Sequence, residues 1–262
     1  MPLSFGEAPG ARNMPGQVAV DHDRFPDVAR FTVHFRTDPA LLQAMLAPGL
    51  VLAGEPVATL YFATMKNIQW LAGRGYNVLS FSFPCHFRGA RDDVTAQFKA
   101  VLWEGLPDPV VSGREDLGFP KLWCELPDPR FLDGRHSFEA NWQGFRLFEA
   151  EFAEGEDVQE LPPVPGEAPC SGTICHKYMP RTGARGQADI DQLVCWPQFE
   201  ARNVARVNIG KGSFRFNRAR WEDLPTMHHV VNALADLPVE VVRADMAWAS
   251  GQGAVSNLVI LE

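Results

Sequence analysis

Short apolar runs, each bounded by Gly, Pro, Asn or Asp, recur along most of this chain, and several alternate apolar with polar residues. A period of two is a strand signal, so the chain is restricted to a mainly β (α+β) fold. The pattern predicts strands over Phe31–Phe35, Ala58–Met65, Asn77–Phe83, Thr95–Trp103, Ser137–Trp142 and Phe145–Phe152. It predicts further strands over Asp189–Cys195, Arg202–Ile209, Ser213–Asn217, Val239–Trp248 and Ala254–Ile260. In Thr95–Trp103 strict alternation puts Phe98, Ala100 and Leu102 on one face. Ile209-Gly-Lys-Gly-Ser213 falls between two of these strands and reads as a hairpin turn.

Helical signals are few. Thr37-Asp38-Pro39 reads as a cap followed by Pro at the first helical position, leading into Ala40–Leu46. Leu224, Met227, Val231 and Leu234 recur at helical spacing and predict an amphipathic helix from Asp223 to Asp236. Of its His228-His229 pair, one must leave the apolar stripe for solvent. Residues 1–25 are polar and rich in Gly and Pro and read as an N-terminal arm. Residues 26–262 read as a single domain, with the acidic, proline-rich Glu154–Pro169 as an internal loop.

With 46% hydrophobic residues in a chain of 262, a disordered main state is excluded and a sizeable core is expected. A formal net charge of −8 argues against nucleic-acid or anionic-membrane partners. The N-terminus has no basic region followed by an apolar stretch, and no run of about 18 apolar residues occurs, so the expected compartment is the cytoplasm. The five cysteines are odd in number and scattered, unlike a disulfide framework. Cys85-His86 and Cys175-His176 suggest metal ligands, but neighbours on a strand point to opposite faces, so no metal and no cofactor is expected.

The segment Gly113-Arg114-Glu115-Asp116-Leu117-Gly118-Phe119-Pro120-Lys121, followed by Leu122 and Trp123, carries the chemistry. Leu117, Phe119, Pro120, Leu122 and Trp123 surround Lys121 with apolar residues. An ammonium buried among them loses its hydration, which favours the free amine. A free amine condenses with a ketone, and the iminium so formed is an electron sink for the carbanion left by a departing carboxylate or proton. A plain exposed turn would have the same composition.

This segment resembles the signature of the acetoacetate decarboxylase family, in which the lysine after the proline forms the Schiff base. Supporting resemblances follow in order along the chain: Phe35-Arg36-Thr37-Asp38, Pro56 to Met65, Tyr76-Asn77-Val78-Leu79, His176-Lys177-Tyr178-Met179-Pro180, and Asn232 to Val239. The resemblance implies a closed antiparallel barrel or cone with a few flanking helices, and at least a dimer. Lys121 would then be the nucleophile. Arg114 fits either a bidentate contact to a substrate carboxylate or an anchor for the Lys121 loop. Glu115 fits a proton shuttle or a solvated charge. Tyr61 and Tyr76 fit hydrogen bonds to a carbonyl oxygen, and Phe119 fits a wall of the site.

The sequence departs from the family at several places. Leu122 stands where a second lysine follows the first, and Val78 and Tyr61 stand where the family has glutamates. The family's N-terminal arginine falls near Val28, with Arg30 two residues on and on the same strand face. The resemblance implies a Schiff-base lyase acting on a keto acid by β-keto acid decarboxylation, and an amine kept while carboxylates are lost counts against that step. The alternatives are aldolase or dehydratase chemistry on α-keto acids, or a non-catalytic small-molecule binder of the same fold.

Overall fold

The computed structural model describes residues 26–197, 203–250 and 258–262. The expected N-terminal arm lies outside the described residues, as does part of the strand predicted over Ala254–Ile260. The elements begin with β1 (Asp27–Arg36), α1 (Pro39–Met45), β2 (Leu50–Leu52), β3 (Val57–Ile68), β4 (Arg74–Arg88) and β5 (Asp93–Glu104). They continue with α2 (Pro107–Glu115), β6 (Lys121–Trp123), β7 (Arg130–Leu132), β8 (Arg135–Trp142), β9 (Phe145–Val158) and β10 (Gly172–Pro180). Last come β11 (Ala188–Pro197), β12 (Val204–Phe216), α3 (His228–Ala235), β13 (Glu240–Ser250) and β14 (Val259–Ile260).

Among the described residues the strands form one sheet in the order β14-β11-β10-β5-β4-β3-β1-β13-β12-β9-β8-β7, with β2 on β4 and β6 on β5. The expected closed antiparallel barrel is not what forms. The sheet is mixed, because β10 and β6 both pair parallel to β5. It is also open, because β14 and β7 end the order without meeting. The sheet curls instead. Phe31 of β1 stacks on Phe138 of β8 with ring centroids 4.7 Å apart, and Phe62 of β3 meets the same ring at 5.1 Å. These strands are not sheet neighbours, so two arms of the sheet face one another through side chains. Face-to-face packing needs about 10 Å, twice the spacing of hydrogen-bonded strands, so the arms approach without pairing edge to edge. The concave face is filled by Phe35, Phe81, Phe83, Phe148 and Phe152 as well.

Local features follow from the sequence with some corrections. Asp38 caps α1 by accepting from the amides of Ala40 at 2.7 Å and Leu41 at 3.3 Å, and Pro39 opens the helix. The second predicted helix shortens, α3 starting at His228 rather than Asp223. Asp223 is engaged by the backbone and guanidinium of Arg220 in a preceding turn, and Pro225 has no amide to give. Leu224, Met227, Val231 and Leu234 are buried nonetheless, and His229 is exposed. Residues Ile209–Ser213 do not turn. They continue through β12, with a register shift between Ile209 and Lys211. A Cβ on Gly212 would strike Ala244 and Phe31, so glycine lets this strand pass close beneath the aromatic core. The loop expected to begin at Glu154 begins after Val158, because β9 runs that far.

A second irregularity shapes the site. Phe81 of β4 faces Val101 of β5, but the next residue, Ser82, faces Lys99. Ala100 is therefore an extra residue, a β-bulge. The single face predicted for Phe98, Ala100 and Leu102 is broken there. Phe98 packs edge-on against Phe83 in the aromatic core, whereas Leu102 joins Ala63 and Val78 on the other face.

Candidate active site

Opposite the aromatic core, one face of the sheet collects buried polar residues. Two rows of register partners cross it. One runs Asp245–Thr32–Tyr61–Ser80–Leu102–Lys121 over β13, β1, β3, β4, β5 and β6. The other runs Ala247–Arg30–Ala63–Val78–Glu104–Trp123 over the same strands. Residues two apart on a strand share a face, so both rows point the same way. The small side chains of Ala63, Val78 and Ser80 lie between the charged groups at either end.

Lys121 reaches this face through the segment singled out in the sequence. Arg114 and Glu115 form the last turn of helix α2. The chain then reverses at Gly118, whose φ of 78° suits glycine. Phe119 donates its amide to the carbonyl of Gly113 at 3.0 Å, and β6 pairs beside the end of β5. Strands β10 and β11 hold this turn down. Lys177 donates to the Asp116 carbonyl at 3.1 Å, Trp196 Nε1 to the Leu117 carbonyl at 3.1 Å, and the Trp196 ring stacks on Phe119 at 5.3 Å.

The lysine is buried, at 8% exposure, but it does not sit in a purely apolar enclosure. Its Nζ is 2.8 Å from Oε1 of Glu104, itself 2% exposed, and donates to the Pro109 carbonyl at 3.1 Å. It also stands 5.5 Å from the centroid of the Phe119 ring. Burial pushes the Glu104 carboxyl above its ordinary range, and the Lys121 amine beside it pulls in the opposite direction. Oε2 of Glu104 is buried without a hydrogen-bond partner. A carboxyl so placed can take a proton from the amine and return it to a leaving hydroxyl.

The sequence did not single out Glu104. Its signal was a lone carboxylate closing the apolar run Ala100-Val-Leu-Trp103. Register explains its place: Glu104 faces Val78, where the resemblance had lost a carboxylate, from one strand over. Leu122, by alternation, packs into the aromatic core on the opposite face.

The other expected residues divide. Arg114 is exposed, and its Nη1 donates to the backbone carbonyl of Lys121 at 3.0 Å. Glu115 is exposed on the last turn of α2, whereas Glu104 is the carboxylate that touches Lys121. Tyr61 lies in the Lys121 row, and Tyr76 packs beside Met65, Ala63 and Val78. Burial, then Glu104 and Tyr61, push the Tyr76 phenol well above its ordinary range, so it stays a donor. Phe119 forms a wall beneath the amine. Arg30 is on the site face with Nε buried and unpartnered, as are Thr32 Oγ1 and Asp245 Oδ2.

Behind Arg30, Arg243 donates to Asp245 Oδ1 at 2.8 Å and, through Nη2, contacts His34 Nε2 at 3.1 Å. A guanidinium can only donate, so His34 carries its proton on Nδ1, 3.0 Å from Thr59 Oγ1. Burial, then Arg243 and Arg30, hold the imidazole down to about 3. The Cys-His doublets split across the sheet, Cys85 and Cys175 fully buried while His86 and His176 meet Asp93 and Asp191. Among the described residues no three metal donors cluster, and no helix is long and apolar enough to cross a membrane.

No curated protein matches the sequence. Solved structures do. MppR, an enduracididine biosynthesis enzyme complexed with pyruvate, matches over 98% of this chain and 98% of its own, at 16% identity and a TM-score of 0.70. MppR in complex with the condensation product of pyruvate and imidazole 4-carboxaldehyde matches likewise, at 17% identity over 99% of this chain and 98% of its own, with a TM-score of 0.68. Acetoacetate decarboxylase from Legionella pneumophila matches at 18% identity, over 97% of this chain and 98% of its own, with a TM-score of 0.66. At such identities the likeness carries the fold and not the activity. The family model described as acetoacetate decarboxylase (ADC) matches residues 1–252. The chain therefore belongs to the acetoacetate decarboxylase family.

Proposed function

We propose that this protein is a Schiff-base lyase acting on a small or medium keto acid, with Lys121 as the nucleophile. The observation that carries the reading is the buried Lys121–Glu104 pair, 2.8 Å apart on a face of unpartnered polar groups. Glu104 takes a proton from the ammonium, and the free amine attacks the ketone carbon to give a carbinolamine. Glu104 then returns the proton to the carbinolamine hydroxyl, which leaves as water. The product is a protonated iminium on Lys121 and a carboxylate on Glu104, so charge and protons balance. With a β-keto acid the carbon–carbon bond to the carboxylate breaks, CO2 departs, and the electron pair enters the iminium to form an enamine. Protonation at carbon and hydrolysis release the ketone and the lysine. Tyr61 and Tyr76 supply hydrogen bonds to the substrate oxygen, Arg30 faces its polar end, Phe119 walls it in, and Arg114 holds the Lys121 backbone. The reading includes a cytoplasmic homo-oligomer that uses no metal or cofactor.

A second reading keeps the iminium and replaces decarboxylation with aldol or dehydration chemistry on an α-keto acid. The match to MppR, a structure with pyruvate bound, favours it. The two separate in one assay. Release of CO2 from acetoacetate supports the first, and consumption of pyruvate with an aldehyde, without CO2, supports the second. If neither substrate turns over, lyase activity on these keto acids is refuted.

A further inference from the structure

Strand β5 brings a second buried lysine to the face that holds Lys121. Lys99 is 7% exposed. Its Nζ donates to Ser80 Oγ at 2.8 Å and lies 4.8 Å from the centroid of the Tyr61 ring. It forms no ion pair with any described residue, whereas Lys121 has Glu104. Lys99 and Glu104 are an odd number of residues apart, so a regular strand would aim Lys99 into the aromatic core. The bulge at Ala100 resets the alternation and turns the lysine to the side of Ser80, Tyr61 and Glu104. Bulges cost ladder hydrogen bonds and recur where a side chain must be re-aimed beside an active site.

We propose that Lys99 is the anion-binding residue of this site, holding the carboxylate of the substrate while Lys121 takes its ketone. The proposal rests on reading Lys121 as the Schiff-base lysine, and it names the substrate class as an anionic keto acid rather than a neutral ketone. An ammonium has three protons to donate, and the hydroxyl of Ser80 uses one. A phenol ring stabilises a cation but does not neutralise it. The missing partner is a compact anion, and a substrate carboxylate supplies both the charge and the acceptors.

The test compares two acids with their neutral, similarly shaped amides: acetoacetate with acetoacetamide, and pyruvate with pyruvamide. For wild type, Lys99→Met and Lys99→Arg, the concentration giving half-maximal adduct under cyanoborohydride is measured. Binding of the same pairs without reductant is measured by calorimetry. Wild type should prefer acid over amide, and Lys99→Met should weaken acid binding about tenfold or more while leaving the amide unchanged. Lys99→Arg should restore much of the preference. A Lys99 that only supports the fold would shift the melting temperature and leave the acid-to-amide ratio as in wild type. That ratio, unchanged in Lys99→Met, overturns the proposal. If wild type forms no adduct with any compound, the Schiff-base reading falls, and the calorimetric ratio still decides the role of Lys99. An adduct mapped to Lys99 itself overturns both assignments.

Discussion

The side chain of Lys121 lies directly across Gly113 of helix α2, so that a Cβ on Gly113 would collide with the lysine's Cδ, Cε and Nζ. Glycine in a helix normally weakens it by about 1 kcal/mol relative to alanine, so its presence here is explained by the amine it makes room for. Gly113→Ala should leave the fold intact, because the obstructed atoms are the end of a flexible chain. It should displace the amine from Glu104 and the Pro109 carbonyl, and a misplacement of about 1 Å costs roughly 10²-fold in rate. Adduct formation and thermal melting, measured together, check this. A variant that traps substrate as fast as wild type would show that the contact with Gly113 does not position the amine.

Glu104 should separate into two effects. Glu104→Gln keeps a hydrogen-bond acceptor beside Lys121 but removes the proton acceptor, and should slow adduct formation by about 10²- to 10⁴-fold. Glu104→Ala strands the buried lysine and should also lose about 3–5 kcal/mol of stability by urea unfolding. Equal trapping rates in wild type and Glu104→Gln would remove Glu104 from the chemistry.

Arg114 is placed to hold the backbone of Lys121, so Arg114→Met should cost about 1 kcal/mol of stability. It should lower kcat with little change in KM. A raised KM at unchanged stability would instead make Arg114 a substrate clamp.

His34 gives the protein a defined acid sensitivity. Its imidazole is held down to about 3 in the fold, against about 6.5 in the unfolded chain. Between those values the unfolded chain binds the extra proton, so this contribution to stability is complete above about pH 6.5 and is lost as pH falls towards 3. The slope is about 1.4 kcal/mol per pH unit within the window. His34→Gln should flatten the stability profile between pH 4 and 6 by about that slope. Denaturant unfolding at a series of pH values measures it, and parallel profiles for the two proteins would contradict the assignment.

What the sequence revealed and concealed has physical causes. Strands such as β1, β3 and β13 were legible because a strand between an apolar core and a polar face must alternate. The end of α1 that carries Asp38 and Pro39 was legible because capping is local chemistry. Openness of the sheet was not, since curl depends on how Phe31 and Phe138 meet across strands distant in sequence. The bulge at Ala100 was concealed because nothing marks an alanine as the extra residue. That one irregularity misassigned the face of Leu102 and concealed Lys99. Lys121 was found through a segment that stands out by itself. Its partner was sought in the neighbouring Glu115, whereas parallel pairing of β6 with β5 supplies Glu104.

The central claim is most directly tested by peptide mass mapping after cyanoborohydride trapping with acetoacetate and with pyruvate. The account predicts one stable adduct per chain, on the peptide containing Lys121, absent from Lys121→Met and slowed in Glu104→Gln. Absence of any adduct from the wild-type protein with both keto acids, or an adduct only on surface lysines, would contradict it.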